Sequence, residues 1–259
     1  MINILTVKFG NKFTHKHVNL LYNSIKKHYT GDFTFYCLTD NANGLDPDIK
    51  FSIREEEFCY AFNKVSLMKK NFNNLSGDDK VVIMDLDIDV LNDPSPIFNI
   101  NLNENQLGLF HKWWQFPYKG CWIWGGIYVG THKLFNNFYD RLTHDPEHFY
   151  TVYTNLYGYR FREDMPIKGE QDFILESAIL NNYSFNIFPH FYAENIQPEL
   201  EFGNYPPNFS LKRIKMQNRN NSRLQTYIHF KENSNPISPI FKHYSGSINS
   251  YIKKYESSN

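Results

Sequence analysis

The feature that most restricts the fold of this chain is Val81-Val82-Ile83-Met84, its most strongly apolar short run. Consecutive apolar residues, three of them β-branched, suit a strand buried on both faces, which occurs where helices cover both sides of a sheet. The preceding residues agree. Residues 2–7 read as a buried first strand. Val18, Leu21, Tyr22 and Ile25 recur at helical spacing, with Thr14 placed to cap that helix and Gly31-Asp32 to break it. Residues 33–38 read as a second strand and residues 49–53 as a third. Asp46-Pro47-Asp48 is turn chemistry between them. Residues 61–72 carry Val65, Leu67, Met68 and Phe72 and read as a helix, and Gly77-Asp78-Asp79 is a turn. The alternation predicts an α/β fold in which ligands bind beyond the carboxyl ends of the strands. Those ends are Val7-Lys8-Phe9, Thr39-Asp40 and Asp85-Leu86-Asp87.

The second half is less regular. Residues 121–130 mix aromatic, glycine and β-branched residues and read as a strand, with a close backbone approach or a bulge at Gly125-Gly126. Helices are expected near 132–142 and 170–181, loop over 198–225, a strand at 227–230 and a closing helix at 247–256. No repeat or low-complexity linker divides the chain, so one domain is expected over 1–259. Within it, 1–110 forms one half and 111–259 a second half with a closing segment.

Composition removes several function classes. The chain has 27 Lys plus Arg against 27 Asp plus Glu, without the basic excess of a nucleic-acid binder. It contains no run of 18 or more apolar residues, so no transmembrane segment is expected, and its start does not read as a signal peptide. The three cysteines, Cys37, Cys59 and Cys121, are widely spaced and read as thiols in a reducing, cytoplasmic compartment. The four tryptophans, Trp113, Trp114, Trp122 and Trp124, are clustered. Such rings pack cores, and their flat faces also suit sugar rings.

Asp85, Asp87 and Asp89 follow directly on the apolar run. At period-2 spacing they would project to one side, where like charges repel unless a cation lies between them. A hard divalent ion completed by substrate phosphates meets that need. The alternative is an acidic loop after a strand. Other residues carry similar pairs of readings. Asp40 ends a strand and either caps a turn or contacts a base or ribose. Lys64 shares its expected helix with Lys69 and Lys70, which reads as a solvated face. Glu170 and Asp172 open an apolar helical run, where acidic residues also suit the helix dipole.

Val7-Lys8-Phe9-Gly10, the stretch 17–23, Phe35-Tyr36-Cys37-Leu38-Thr39-Asp40, Gly44-Leu45-Asp46, the stretch 62–67 and the stretch 82–90 together resemble a group of bacterial and viral glycosyltransferases. That group is similar to glycosyltransferase family 8, which includes glycogenin and lipopolysaccharide galactosyltransferases. The resemblance is close over about the first 95 residues. It returns at Gly125-Gly126-Ile127-Tyr128-Val129, Gly169-Glu170-Gln171-Asp172 and His243-Tyr244-Ser245-Gly246.

The resemblance implies a GT-A fold with a mixed central sheet, a nucleotide-sugar donor (a UDP- or GDP-sugar), a glycan or other hydroxyl acceptor, and Mn²⁺ or Mg²⁺. It places the metal on Asp85, Asp87 and His243. The donor falls to Thr6, Val7, Lys8, Lys64, Asp85, Leu86 and Gly246, with Asp40 beside them. Catalysis falls to Glu170, Gln171 and Asp172, and the location to the cytoplasm of a bacterium or a virus-infected cell. Two departures stand out. Asn249 occupies the place of a family lysine that reaches phosphate, with Lys253 and Lys254 nearby, and Glu170 replaces the usual aspartate before the glutamine. Rival readings are a haloacid-dehalogenase-like phosphatase, a nucleotidyltransferase and a non-catalytic sugar-binding module. The phosphatase wants Thr or Val at the fifth position of its motif; here Asp89 or Leu91 stands there.

Overall fold

The computed structural model describes residues 1–56, 58, 60–111, 123–153, 169–196 and 239–244. A seven-stranded mixed sheet organises them, in the spatial order β3-β2-β1-β4-β7-β6-β8. Its strands are β1 (Ile2–Lys8), β2 (Phe33–Thr39), β3 (Lys50–Ile53), β4 (Lys80–Met84), β6 (Gln106–His111), β7 (Ile123–Thr131) and β8 (Ser184–Ile187). β1 pairs in parallel with both β2 and β4, and β2 with β3. β7 runs antiparallel to β4 and β6, so the sheet changes sense immediately beside β4. A second sheet of three strands has β10 (Phe241–Tyr244) between β5 (Ile88–Val90) and β9 (Ala193–Ile196).

The apolar run behaves as its composition requires. Successive side chains of a strand point to opposite faces, and β4 divides accordingly: Val81 and Ile83 enter one core, Val82 and Met84 the other. β1 and β2 alternate in the same way, with Leu5, Tyr36 and Leu38 on the first face and Ile4, Phe35 and Cys37 on the second. Helix α1 (His15–His28) covers the second face with Val18, Leu21, Tyr22 and Ile25. The first face is covered by α3 (His132–His144), α4 (Pro146–Tyr153) and α5 (Glu170–Leu180), while α2 is the short Ser95–Phe98. Each fully buried Val, Ile or Met contributes roughly 1.5–3 kcal/mol, which makes β4 the anchor of both cores. Cys37 is a buried free thiol, its pKa pushed by burial to about 12.

The segment expected as an α-helix over 61–72 is a 3-10 helix, Tyr60–Met68. A 3-10 helix eclipses every third side chain, and all of residues 62–68 are buried, so burial alone does not separate it from the expected α-helix. Asp46-Pro47-Asp48 is the expected turn, with Asp46 accepting from the Asp48 and Ile49 amides. The elements β6, β8, β9, β10 and α4 have no counterpart in the sequence reading. The loop, strand and helix expected at 198–225, 227–230 and 247–256 lie outside the described residues, as do Trp113, Trp114, Trp122, Cys59 and Cys121. Among the described residues no helix is long and apolar enough to cross a membrane.

The Tyr139 hydroxyl lies 2.7 Å from both oxygens of Glu56, and Lys69 Nζ donates to the same carboxylate at 2.8 Å, fastening the segment after β3 to α3. Burial pushes the Glu56 pKa up, but these donors outweigh it and hold the group below the usual carboxylate range. A depressed folded pKa contributes stability above the unfolded value, and that stability is lost as pH falls through the folded one. Tyr139→Phe is therefore expected to cost about 1 kcal/mol at neutral pH, measured by urea denaturation. Its difference from wild type should shrink below a pH of roughly 4.

Candidate functional site

The strand order reverses at β1, with β2 and β3 on one side and β4 on the other. A crevice outside the carboxyl ends of β1 and β4 is the position where open α/β sheets bind ligands. Two charged groups meet there.

The first is centred on Lys64. Its ammonium lies 2.7 Å from Asp85 Oδ1 and 2.9 Å from Glu170 Oε1, and it donates to the Gly125 carbonyl at 2.7 Å. An ammonium has three donors, and three oxygens take them. Lys64 and Glu170 are 6% and 7% exposed, so the two charges meet away from water. Burial disfavours a charged lysine, but the two carboxylates outweigh it and raise its pKa. Asp85 is raised to about 6, by burial first and by the charges of Asp87 and Glu170 next, with Lys64 opposing.

Local structure sets this geometry. Gly169 caps α5 with φ 87° and ψ −151°, a region open essentially to glycine alone. This starts the helix with Glu170 facing inward. The register between β6 and β7 jumps from Leu109↔Tyr128 to Phe110↔Trp124, leaving residues 125–127 of β7 as a bulge. The Asp85 amide donates to the Gly126 carbonyl at 2.9 Å, which sets the bulge against the end of β4. A Cβ at Gly125 would lie 2.7 Å from Glu170 Oε1, and one at Gly126 would lie 2.3 Å from the Trp124 ring. The small residues are thus filled against by Glu170 and Trp124.

The second group joins Asp87 to His243. Antiparallel pairing of β5 with β10 sets His243 opposite Ile88 and brings its Nε2 to 3.5 Å from Asp87 Oδ2. The imidazole packs against the Trp124 ring at 5.0 Å between centroids. Asp87 Oδ1 is buried and has no hydrogen-bond partner. Burial pushes the Asp87 pKa up, but His243 and the charges of Lys12 and Lys64 hold it below the usual range.

Several sequence expectations change. Asp85 and Asp87 flank the buried Leu86 and lie near enough for the Asp87 charge to act on Asp85, yet they take different partners. Asp85 meets Lys64, which also holds Glu170, whereas Asp87 meets His243. Asp89 lies opposite Lys242 on β5, and its charge is felt at His28. Lys64 is no solvated residue, and it cannot donate to a nucleotide without releasing one of its three partners. Leu86, 1% exposed, has only its backbone to offer a ligand. Thr6 spends its hydroxyl on the Met84 carbonyl at 2.9 Å, joining β1 to β4. Lys8 donates to Asp40 at 2.8 Å, and Asp40 also accepts from the Gly10 amide at 2.7 Å. Asp40 thus shapes the loop after β1, and Val7 beside it is half-buried. Gln171 and Asp172 are half-buried in the first turn of α5. Gly246, Lys253 and Lys254 lie outside the described residues. Among those described, no group of three or more His, Cys, Asp or Glu side chains is gathered closely enough to hold a metal ion.

The sequence reading missed Trp124 as the wall behind His243, and Lys12 as a cation whose charge reaches Asp87. The position of Lys12 in the loop after β1 was the available signal for it.

This architecture recurs in solved structures. The galactosyltransferase LgtC in complex with donor and acceptor sugar analogs matches at a TM-score of 0.54 and 14% identity, covering 94% of this chain and 87% of that one. Mouse xyloside xylosyltransferase 1, in its apo form, matches at 0.52 and 12%, covering 95% and 98%. The apo glycosyltransferase GlyE of Streptococcus pneumoniae matches at 0.52 and 15%, covering 93% of this chain and 54% of that one. This is the GT-A glycosyltransferase fold. No protein-family model and no curated protein matches the chain. The GT-A likeness at these identities is one of fold, so the chemistry rests on the two charged groups.

Removing one partner of a buried ion network leaves the others uncompensated. Lys64→Met is expected to cost roughly 3–5 kcal/mol in urea denaturation. Gly125→Ala, which displaces Glu170, should cost roughly 1–3 kcal/mol.

Proposed function

We propose that this chain is a metal-dependent glycosyltransferase that moves a sugar from a nucleotide-sugar donor, a UDP-sugar favoured, to a hydroxyl of a glycan or other acceptor. The observation that carries the reading is the meeting of Asp87 and His243 beside the crevice, with Asp87 Oδ1 buried and lacking a hydrogen-bond partner. A carboxylate oxygen without a donor beside an imidazole suits a divalent cation. Asp87 and His243 would hold that ion. Asp85 would join them by giving up part of its contact with Lys64. Bound there, the ion would neutralise charge developing on the departing nucleoside diphosphate.

The chain's own groups do the rest. The nucleotide lies over Thr6, Val7 and Lys8. Asp40 holds Lys8 and the Gly10 amide and so fixes the loop against which the base rests. Lys64 sets the separation of Asp85 and Glu170, placing a donor-side and an acceptor-side carboxylate on one ammonium. An acceptor hydroxyl approaches α5, where Glu170 or Asp172 would take its proton if the anomeric carbon inverts. If configuration is retained, Glu170, Gln171 and Asp172 would face the sugar as its cationic character grows.

The test is a thermal-shift titration with UDP and GDP, with and without Mn²⁺. At least one nucleotide should stabilise the protein only with the metal, by about 2.7 kcal/mol at a hundredfold excess over Kd. Asp87→Ala should abolish the shift. Absence of a metal-dependent shift with either nucleotide would count decisively against the reading. Turnover that releases pyrophosphate in place of a nucleoside diphosphate would instead identify a nucleotidyltransferase.

A further inference from the structure

A second polar cavity lies on the far side of the 3-10 helix, beside the edge strand β3. Its volume is about 270 Å³. Drug-sized ligands occupy roughly 300–1,000 Å³, so this cavity suits a smaller guest. It opens between the end of β3, at Ser52, and the segment running from Ser66 to Asn73. Three residues make a turn of this helix type, so Ser66 and Lys64 occupy different faces. Ser66 shares its face with Asn63, which accepts from Arg54 on the cavity side. The cavity is therefore separate from the crevice that holds Asp85 and Glu170.

Two residues in its wall are polar and incompletely paired. Ser66 Oγ and Asn73 Nδ2 are both buried, and neither has a hydrogen-bond partner. The other end of the Asn73 amide accepts from Ser52 Oγ at 2.6 Å, which leaves Nδ2 as the end without a partner. Buried donors are nearly always satisfied in folded proteins, and an exception calls for a missing partner. Asn71 and Asn73 shape this wall with φ of 59° and 48°, the left-handed region that asparagine adopts readily. The charges have a sign. Arg54, Lys69 and Lys70 line the cavity against Glu55 and Glu56. Glu56 is already held by Lys69 and Tyr139.

We infer that this cavity is a binding site for a small oxyanion, a phosphate or carboxylate group, whose oxygens accept from Ser66 and Asn73 and face Lys70. One negative charge balances the surplus of cations, and acceptor oxygens complete the two donors. Either a phosphate ester or an acidic sugar could present this group. The inference goes beyond sugar transfer and does not depend on it.

The test is a titration of the ¹⁵N-labelled full chain with inorganic phosphate, glucuronate and neutral glucose, followed by amide shifts. Saturable perturbation at the Ser66 and Asn73 amides is expected with phosphate or glucuronate and not with glucose, and the stronger anion identifies the source. Ser66→Ala should weaken binding about tenfold. Lys70→Met, a surface change that leaves the fold intact, should weaken it as well. UDP binding with Mn²⁺, measured in parallel, should be unchanged in both variants, so failure here is distinguishable from failure of the transferase reading. No saturation by either anion, equal binding of glucose, or anion binding undiminished in both variants would overturn the inference.

Discussion

The structure depends on one buried ammonium. Lys64 comes from the 3-10 helix, Asp85 from the end of the central strand, Glu170 from the first turn of α5 and the Gly125 carbonyl from the bulge of β7. Four segments distant in sequence are fixed by three short contacts to a single nitrogen. Burying the charges of Lys64 and Glu170, with Asp85 part-exposed beside them, is expensive and adds little net stability over an apolar core. Its return is in specificity of arrangement, because the geometry that satisfies the nitrogen also fixes where both carboxylates stand. The glycine at 125 belongs to the same constraint, since any side chain there would occupy the space of the Glu170 oxygen.

The large sheet was legible in the sequence wherever one face pattern sufficed. The run 81–84 predicts a doubly covered strand, and β4 is one. The helical spacing of Val18, Leu21, Tyr22 and Ile25 predicts α1, which begins just after the expected cap Thr14 and ends at His28, before the expected break at Gly31-Asp32. Reading failed where the pattern was set by tertiary packing. Residues 62–68 are all buried, so no polar face marks the period of the 3-10 helix. The short strands β5, β9 and β10 carry little periodicity, since each has three or four residues. The small sheet they form is visible only through long-range pairing.

The same limit applied to the site. An Asp-x-Asp after an apolar strand points to the right end of the right strand, and resemblance joined His243 to it. The sequence could not show that the two aspartates take different partners, Lys64 for Asp85 and His243 for Asp87. Nor could it show that Lys64 has no donor to spare. That conclusion needs the bulge, the α5 cap and the end of β4 to be placed together. Glu170, read as an acidic residue suited to a helix dipole, does occupy that position, and the dipole and Lys64 act on it in the same sense.

The small sheet has a consequence for how the molecule assembles. β10 must find a place between β5 and β9, and β5 lies about 150 residues earlier in the chain. Contacts between remote segments form late, because the entropy of closing a long loop is lost before any pairing rewards it. β1, β2 and β4 can associate through much nearer neighbours. Maturation is thus ordered in time: the scaffold that carries Asp87 is in place before the strand that delivers His243. Until β10 docks, the second core lacks Phe241, which packs against Phe98 and Phe110, and Asp87 has no imidazole opposite. Docking of β10 would then close the second core and set His243 against Asp87 in the same event.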